Sequence, residues 1–530
     1  MTLKPPETRD DARWRALALV FLGAVLILRL ATFLDYGVTW DEQLERRNAL
    51  LTIRWYASGF TQATFPEGSD QHLYGSFFNV MVWLADRASP LGYYESAHLL
   101  ITLLGFLATV MSYRIAEDIA GPRAGLFSAL SLTLTPVFFG HSFNNPKDVP
   151  FAALFTTALA LSLRAYDALP RLGLRRILGL GASIGLAAGI RVVGLSLVAL
   201  LAGLVLWHHA SHRREEKQPA RAMLALAGSV AGVTLIAVVV ALLWWPYLQV
   251  SPLRNALDLV RHVTHFEFDR TVLFEGRQIL ARELPRSYLP VWFLVSLPEF
   301  FFPALIAGGW LAARRLLAVQ ELRSSRATVK VLLVFATVGV PVGSAIVLRP
   351  VLYDGLRQFL FVLPPLASLA GLGMDAIARQ RSRIIRWLGL GLLGSSMALT
   401  ALEMARLHPY QSIYFNRAIG GGLERASRRF ETDYWGTSYK EAVDWLIAEY
   451  RPGGPRRVRV ANVSNHFLTA YYLSRGEAPA RFEAVPQPRR ADVVLATTRW
   501  NRHRSWPGRI LHTVTREGVA LCYVIERSRP

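Results

Sequence analysis

The sequence predicts an all-α polytopic membrane bundle of about eleven spans, followed by a small α/β domain. The chain of 530 residues is 52% hydrophobic and has a mean hydropathy of +0.28, although 18% of its residues are charged. Several apolar runs have the ~20 residues that a helix needs to cross ~30 Å of hydrocarbon. After residue 403 the apolar runs shorten and charges become frequent, which indicates a separate domain outside the bilayer.

The apolar runs divide the predicted transmembrane domain, residues 1–403, into helices and loops. The first run is long and lacks a small-residue cleavage site, so we expect it to remain in place as a signal anchor. The predicted spans lie near 16–34, 95–113, 124–140, 150–168, 177–190, 192–208, 222–245, 290–313, 331–348, 358–377 and 387–403.

Basic residues determine the predicted orientation. With the N-terminus inside, the inner loops hold 23 Lys or Arg in 78 residues, and the outer loops hold 13 in 122. This bias follows the positive-inside rule and predicts a cytoplasmic N-terminus in a bacterial inner membrane. The net charge of +21 therefore reports orientation, and no nucleic-acid partner is expected. The predicted outer loops are 35–94, 141–149, 246–289 and 349–357.

One short segment decides which loops share a face. The stretch "LYGSFFNVMVWLA", 73–85, is apolar but only 13 residues long. At 1.5 Å per residue it covers ~20 Å, which is too short to cross the hydrocarbon core. We expect an interfacial or re-entrant helix, which leaves "GHSFNNPKDVP" (140–150) on the same outer side as Asp41.

The C-terminal region, 404–530, is predicted to be a small α/β domain. "SYKEAVDWLIAEY" and "NHFLTAYYLSRG" indicate helices, and "RVRVANV", "ADVVLAT" and "GVALCYVIE" indicate short strands. An odd number of crossings puts this domain in the periplasm. The single cysteine, Cys522, excludes an intramolecular disulfide.

The stretch "TWDEQ" follows the first span directly and presents two adjacent acids. Asp41 is a candidate general base that takes a proton from an acceptor hydroxyl or amine, with Glu42 assisting. Such a base must lie within hydrogen-bond reach of the nucleophile, and partial burial raises its proton affinity. An ordinary solvated acidic loop is the alternative explanation.

The turn "HSFNNPKDVP" gathers polar side chains between two predicted spans. His141, Asn145, Lys147 and Asp148 offer hydrogen-bond donors, a cation for phosphate, and a carboxylate. Pro146 and the proline at 150 block helix continuation. Asp148 is alternatively a helix cap, and the two explanations are compatible.

Two further candidates lie at predicted outer ends of spans. Arg191 interrupts apolar sequence, which is costly unless the side chain faces water, a partner or a ligand. In "LRPVLYDGLRQF", Tyr353, Asp354 and Arg357 precede a span, and Arg357 is suited to hold a phosphate as a bidentate fork. Snorkelling for Arg191 and interfacial anchoring for the second group remain the alternatives.

The long outer loop 246–289 has the composition of a lid over a cleft. Its polar candidates are Arg261, His262, His265, Glu267 and Asp269. The histidine spacing lacks the context of a known metal motif, so no metal site is predicted there. Near the membrane exit, "TDYWG" at 432–436 is either a carbohydrate-contacting patch or a structural turn.

Together, five motifs resemble the GT-C membrane glycosyltransferases. They are "TWDE" after the first span, "QHLYG", "NPKDVP", "YDGLRQFLFVLPPLA" and "HPYQSIYFN". The closest branch is family 39, which holds protein O-mannosyltransferases and lipid A aminoarabinose transferases. The resemblance covers roughly residues 16–440 and is sharp only at these motifs. It implies a GT-C fold and a donor sugar carried on a polyprenyl phosphate within the membrane.

The resemblance also implies roles for particular residues. Asp41 corresponds to the general base, Glu42 to a neighbour that contacts donor or acceptor, and Asp148 to the second catalytic carboxylate. Basic residues near the outer face hold the donor phosphate in this family. The corresponding phosphate-binding candidates are Lys147, Arg191 and Arg357, and the candidates for the substrate cleft are His72, Tyr74, His141, Asn145, Tyr353 and Asp354.

The sequence departs from the aminoarabinose transferases at the end of the first outer loop. Those enzymes carry a phosphate-binding lysine there, whereas this chain has "DQHLYG". His72 is a poor substitute for lysine at neutral pH. We therefore expect a rearranged phosphate site. The departure argues against specificity for aminoarabinose, and the identity of the sugar stays open.

The predicted function is that of an inverting glycosyltransferase, which moves a sugar from a polyprenyl-phosphate donor to a lipid, glycan or protein acceptor outside the membrane. No cofactor is expected, because a good leaving group and a base suffice and no nucleotide-binding glycine loop is present. The sequence leaves a requirement for a divalent metal open and predicts no metal site. The alternatives are an O-antigen-type ligase or polymerase, and a lipid-linked glycan transporter. Transport is disfavoured because the polar residues cluster in outer loops.

Overall fold

A computed structural model describes the ranges 8–62, 71–212, 218–264, 268–317, 325–451 and 456–527. Two of the loop residues considered above, His265 and Glu267, lie outside these ranges. The described N-terminal part is helical, with one short β-hairpin. Its helices are α1 Arg9–Thr32, α2 Trp40–Ala57, α3 Phe77–Ala88, α4 Tyr93–Ala120, α5 Pro122–Thr133, α6 Pro136–Asn144, α7 Asp148–Asp167, α8 Leu174–Ala188, α9 Ser196–His212, α10 Pro219–Leu242, α11 Pro246–Val250, α12 Pro252–Thr264, α13 Tyr288–Ser296, α14 Phe301–Leu317, α15 Arg326–Leu348, α16 Leu363–Ala378 and α17 Arg383–Leu407.

Eight helical segments among the described residues are long and apolar enough to cross a membrane, and two bent helix pairs raise the number to ten. The bent pairs are α5 with α6, which meet at 68°, and α13 with α14, which meet at 113°. The predicted span that is missing from this set is 177–190. It corresponds to α8, which has 15 residues and is shorter than a full crossing requires. The polytopic helical fold class predicted from the sequence is confirmed.

The short apolar segment within the predicted loop 35–94 forms α3, a helix of 12 residues. At 1.5 Å per residue its length is about 18 Å, less than the thickness of the hydrocarbon core. Gly75 precedes it and lies so close to the chain at Gly189 that an added Cβ would stand 2.1 Å from the Gly189 carbonyl oxygen. The start of α3 is thereby packed against the end of α8, next to Arg191.

The C-terminal part contains a five-stranded sheet with helices packed on it. The strand order is β4-β3-β5-β7-β6, with β3 parallel to β4 and β5, and β7 antiparallel to β5 and β6. Its helices are α18 Gly422–Ala426, α19 Tyr439–Glu449, α20 His466–Leu473 and α21 Ala478–Arg481. The strands are β3 Val458–Asn462, β4 Phe482–Ala484, β5 Val493–Thr497, β6 Gly508–Arg516 and β7 Val519–Arg527, while β1 Thr271–Phe274 and β2 Arg277–Leu280 form the hairpin of the preceding loop.

The C-terminal domain packs directly on the loop that follows α1. The backbone N–H of Val38 donates a hydrogen bond of 2.6 Å to the Tyr472 hydroxyl. Gly37 lies against the backbone of Thr437, where an added Cβ would stand 2.3 Å from the carbonyl oxygen. One apolar core continues from the helices into the sheet, because Val38, Phe430 and Val460 belong to the same buried cluster. The C-terminal domain therefore covers the region that holds Asp41.

Candidate functional site

A cavity of about 860 Å³ lies between one end of the helical bundle and the C-terminal domain. Its walls come from α2, the segments before α3, α9 and α16, the α6–α7 turn, the 246–289 loop and the segments after β3 and β5. The lining includes six basic and four acidic side chains, so the cavity has an excess of positive charge. They are Lys147, Arg191, Arg270, Arg357, Arg499 and Arg502, with Asp41, Asp148, Asp258 and Asp354.

Helix α2 presents Asp41 to this cavity from its first turn. Thr39 is the N-cap of this helix, and its backbone N–H donates to Glu42 Oε1 at 2.8 Å in a capping box. The cap fixes the start of the helix, and an acid in the first turn is favoured by the exposed N–H groups there. Asp41 Oδ2 accepts a hydrogen bond of 2.7 Å from Arg357 Nη1, and 26% of the Asp41 side chain remains exposed. Part of the carboxylate is therefore accessible to a substrate.

The turn between α6 and α7 aims Asp148 into the same cavity. Asn145 Oδ1 accepts from the Asp148 backbone N–H at 2.8 Å, and Asn145 Nδ2 donates to Asp148 Oδ2 at 3.0 Å. The other carboxylate oxygen of Asp148 forms a short ion pair with Arg191. Asp41 and Asp148, 107 positions apart in the chain, thus line one cavity.

Lys147 lies between a carboxylate and an aromatic ring. Its Nζ is 2.6 Å from Glu45 Oε1 and 3.9 Å from the centre of the Tyr74 ring. Burial opposes the charge of Lys147, but the Glu45 carboxylate and its neighbours raise the pKa of the ammonium above its usual value. Lys147 is therefore a permanent cation at the cavity wall.

Asp354 connects two arginines at the opposite wall. Its carboxylate is 2.6 Å from Arg499 Nη2 and 3.6 Å from Arg357 Nη2. Asp354 has a left-handed backbone with φ of 57°, and Gly355 follows at 68°, so the chain turns sharply here. Burial raises the pKa of Asp354 even though both arginines pull in the opposite direction. Asp41, Arg357, Asp354 and Arg499 form a continuous chain of alternating charges.

Nine of the twelve residues predicted from the sequence line the cavity. They are Asp41, His72, Tyr74, Lys147, Asp148, Arg191, Tyr353, Asp354 and Arg357. Tyr353 stacks on Phe268 with ring centres 4.1 Å apart, and the His72 ring packs against Tyr247 at 4.6 Å.

The other three predicted residues lie behind the wall. Glu42 is 1% exposed and is held by Thr39 and by His98 Nε2 at 3.1 Å, so its expected contact with donor or acceptor does not fit its position. His141 is buried with its Nε2 at 2.9 Å from the Tyr434 hydroxyl. Asn145 is buried and orients Asp148. None of the three lines the cavity in the part of the chain that the structure describes.

Sequence reasoning did not identify the cavity residues of the C-terminal domain. Arg499 is 5% exposed and lies over the rings of Trp40, at 5.0 Å, and of Trp500, at 4.3 Å. Trp500 is also within 4.6 Å of the Arg502 guanidinium carbon. The stretch "RWNRHR" (499–504) was the available signal, since basic residues interleaved with an aromatic suit an anionic ligand. Among the described residues, no group of three His, Cys, Asp or Glu is placed to hold a metal.

Comparison with known proteins gives one family match. The family of dolichyl-phosphate-mannose-protein mannosyltransferases matches residues 92–245. These residues begin with α4 and extend beyond α10, and they include Lys147, Asp148 and Arg191. No curated protein sequence matches the chain.

Solved structures agree in architecture at low sequence identity. The archaeal oligosaccharyltransferase AglB from Archaeoglobus fulgidus, in complex with an inhibitory peptide and a dolichol-phosphate, has a TM-score of 0.50 and 12% identity, over 92% of this chain and 70% of that chain. The chain shares the fold of this glycosyltransferase, and residues 92–245 are similar to the mannosyltransferase family. The fold class predicted from the sequence is confirmed, and the match over residues 92–245 supports the predicted superfamily and enzyme class.

Two structures of the ArnT protein from Cupriavidus metallidurans are also similar to this chain. The apo form has a TM-score of 0.47 with 16% identity, over 96% of this chain and 97% of that chain. The form bound to undecaprenyl phosphate has a TM-score of 0.46 with 16% identity over the same shares.

Proposed function

We propose that this protein is a GT-C glycosyltransferase that moves a sugar from a polyprenyl-phosphate donor to an extracytoplasmic acceptor, a lipid, glycan or protein, with inversion at the anomeric carbon. One observation carries the proposal: the carboxylates of Asp41 and Asp148 line one cavity together with six basic side chains. The matching family is named for a dolichyl-phosphate sugar, and AglB of the same fold is in complex with a dolichol-phosphate.

The proposed reaction needs a base on one side of the sugar and positive charge on the other. Asp41 takes the proton from the acceptor hydroxyl or amine, and the freed electron pair forms the new bond to the anomeric carbon. The bond from that carbon to the phosphate oxygen breaks in the same step, and its electrons leave with the polyprenyl phosphate. Developing charge on the phosphate is stabilised by preorganised cations, for which Lys147, Arg191 and Arg357 are the candidates.

Arg357 gives this scheme a way to couple donor binding to proton transfer. It donates to Asp41 at 2.7 Å and lies 3.6 Å from Asp354. A donor phosphate that attracts Arg357 weakens its bond to Asp41, which frees that carboxylate oxygen to accept a proton. The proposed scheme takes its positive charge from arginine and lysine and routes no step through a metal ion or a cofactor.

A deletion strain tests the function most directly. We expect mass spectrometry of envelope lipids, glycans and proteins to show one class of molecule that loses the mass of one sugar. Expression of the intact chain restores that mass, and the Asp41→Asn variant serves as the matched control that does not. An envelope of unchanged composition in the deletion strain would contradict the proposal.

We also propose that the enzyme resides in a bacterial inner membrane with a cytoplasmic N-terminus and a periplasmic C-terminal domain. The natural thiol, Cys522, is fully buried and therefore silent to labelling. A cysteine at exposed position Arg490 in the C-terminal domain is expected to react with a membrane-impermeant maleimide in intact cells that carry a permeable outer membrane. The matched Arg175→Cys variant, in the first turn of α8, is expected to react only after cell lysis. The reverse pattern would overturn the orientation.

A further inference from the structure

Three of the six basic side chains that line the cavity of about 860 Å³ surround the Trp500 ring. Their guanidinium carbons lie 4.3, 4.6 and 5.6 Å from its centre, for Arg499, Arg502 and Arg270 respectively. The indole N–H donates to the Thr271 carbonyl oxygen at 2.9 Å, which ties the ring to strand β1. Guanidinium groups stack favourably on indole faces, so the fixed ring holds three cations close together at the cavity wall.

Four of the six cations already have a carboxylate partner. The pairs are Lys147 with Glu45, Arg191 with Asp148, Arg357 with Asp41, and Arg499 with Asp354. Arg270 and Arg502 form no ion pair with any residue that the structure describes. Two of the three cations at the Trp500 ring are therefore not neutralised by the protein.

The other acids of this region have partners of their own. Asp269, the neighbour of Arg270 in the chain, is 3.4 Å from Arg282 Nη1. Asp258, the remaining acid of the cavity lining, is 3.6 Å from Arg261 Nη1. The uncompensated positive charge of the cavity wall thus lies at the two arginines without an ion pair.

Arg502 is half-buried and held in a fixed position. Its Nη1 donates to the Val463 carbonyl oxygen at 2.6 Å. Burial and the like charges of Arg270 and Arg499 lower the pKa of the Arg502 guanidinium below its usual value. An oxyanion that binds here relieves this repulsion and accepts charge-assisted hydrogen bonds from more than one guanidinium.

The cations at Trp500 lie on a different wall from the candidates for the donor phosphate. Lys147 Nζ and the Arg191 guanidinium carbon are 3.9 and 5.8 Å from the centre of the Tyr74 ring, and both residues belong to turns of the helical bundle. Arg270 and Arg502 belong to the 246–289 loop and the C-terminal domain. In the proposed reaction the lipid tail of the donor stays among the bundle helices, so its phosphate reaches the first wall. The second wall is left for another anionic group.

We propose that Arg270 and Arg502 form a subsite for an oxyanion, a phosphate or a carboxylate, that is part of the sugar acceptor. The anion binds beside Trp500 while the acceptor hydroxyl or amine lies at Asp41 in the same cavity. Complementary charge of this kind selects among acceptors and fixes their orientation. The acceptor role rests on the proposed function, whereas anion binding at the two arginines does not.

Direct binding to the full-length protein in phosphatidylcholine nanodiscs tests the anion subsite. Undecaprenyl phosphate is included in the nanodiscs to occupy the donor side. The probes are glucose 6-phosphate, D-glucuronate and the neutral methyl α-D-glucopyranoside, followed by saturation-transfer NMR. We expect both anions to bind in the millimolar range and the neutral glucoside to bind at least about tenfold more weakly, because it lacks charge-assisted hydrogen bonds to guanidinium groups. Equal binding of charged and neutral probes would overturn the subsite.

Two double variants with the same loss of charge localise the binding. Arg270→Gln with Arg502→Gln is expected to weaken binding of glucose 6-phosphate by about tenfold or more. Arg277→Gln with Arg504→Gln removes two exposed charges from the same loop and the same segment after β5, away from the cavity lining, and should bind as the unmodified protein does. Arg270→Gln alone, at an exposed position, gives the same test without disturbing a packed side chain. Equal binding by the two double variants would exclude a subsite at these arginines.

A lipid-borne phosphate and a soluble phosphate would present the same group to Arg270 and Arg502. Displacement of glucose 6-phosphate by lysophosphatidate, but not by lysophosphatidylcholine, would assign the anion to a lipid acceptor. Displacement by neither lipid would assign it to a soluble acceptor. Displacement by both would show that charge does not select the ligand, and the subsite would be wrong.

Transfer kinetics connect the anion subsite to the acceptor. With the acceptor that the deletion strain identifies, Arg270→Gln with Arg502→Gln is expected to raise the acceptor KM by about tenfold and to change kcat and the donor KM little. A raised donor KM would assign the two arginines to the donor phosphate, and either that result or an uncharged acceptor overturns the proposal. A protein that binds glucose 6-phosphate through both arginines but transfers no sugar would contradict the proposed function and the acceptor role, and would leave the anion site standing.

Discussion

Replacing Asp41 with asparagine is expected to lower the rate of sugar transfer by a factor of about 10² to 10⁴, the range that a positioned general base contributes. Asparagine keeps the shape and can still accept a hydrogen bond from Arg357, so the helix and the cavity wall should persist. The measurement is transfer from a polyprenyl-phosphate sugar by purified protein in nanodiscs, with thermal unfolding followed in parallel.

Two controls sharpen this prediction. Asp35→Asn changes an exposed acid of the same connection, paired with His408 at 2.9 Å, and should leave transfer intact. Glu42→Gln keeps a residue type that serves equally well in a capping box, so we expect only a small loss of stability and near-normal transfer. Normal transfer by Asp41→Asn would show that Asp41 is not the general base. Loss of transfer in Glu42→Gln would show that Glu42 takes part in the reaction.

Replacing Arg357 with methionine is expected to abolish transfer and to destabilise the fold by about 3–5 kcal/mol, because removing one partner of a buried ion pair leaves uncompensated charge. Arg357 is 8% exposed and serves two carboxylates, Asp41 and Asp354, at once. Denaturant or thermal unfolding in a defined detergent gives the stability, and the nanodisc assay gives transfer. Arg349→Met, an exposed arginine just before the same segment, is the matched control.

A double variant separates the two effects of Arg357. Asp41 loses its guanidinium partner in the Arg357→Met background, whereas Asp354 keeps Arg499 at 2.6 Å. Changing Asp41 to asparagine in that background removes the unpaired charge, so part of the lost stability should return while transfer does not. A double variant that regains no stability would mean that the unpaired Asp41 carboxylate is not the cause of the loss.

The transmembrane part was predictable because it depends on length and composition, which are local properties. Each predicted span has a corresponding helix, and the main differences are the sharp bends inside two of them and the 15 residues of α8. The bend between α5 and α6 occurs at Thr135, where a proline at the next position begins the second helix. Nothing in average hydropathy reports such a bend, since both halves are equally apolar.

The placement of Asp41 and Asp148 at one cavity followed from the bias of basic residues, which put both loops on one side. The position of the Glu42 side chain could also be predicted from the sequence. "TWDE" is a capping-box sequence, with threonine and glutamate three positions apart, and this predicts a glutamate turned back to the backbone. The ion pair between Arg499 and Asp354 could not be predicted from the sequence in the same way. It joins residues 145 positions apart across two domains, and no local pattern encodes that contact.

Arg499 has a consequence for how this enzyme is organised. The guanidinium that neutralises Asp354 belongs to the C-terminal domain, whereas Asp354 itself precedes a membrane helix. Both parts of the polypeptide therefore build the cavity that holds Asp41. If the proposed transfer takes place there, neither part is a minimal enzyme, and the stretch after residue 403 is needed for the reaction.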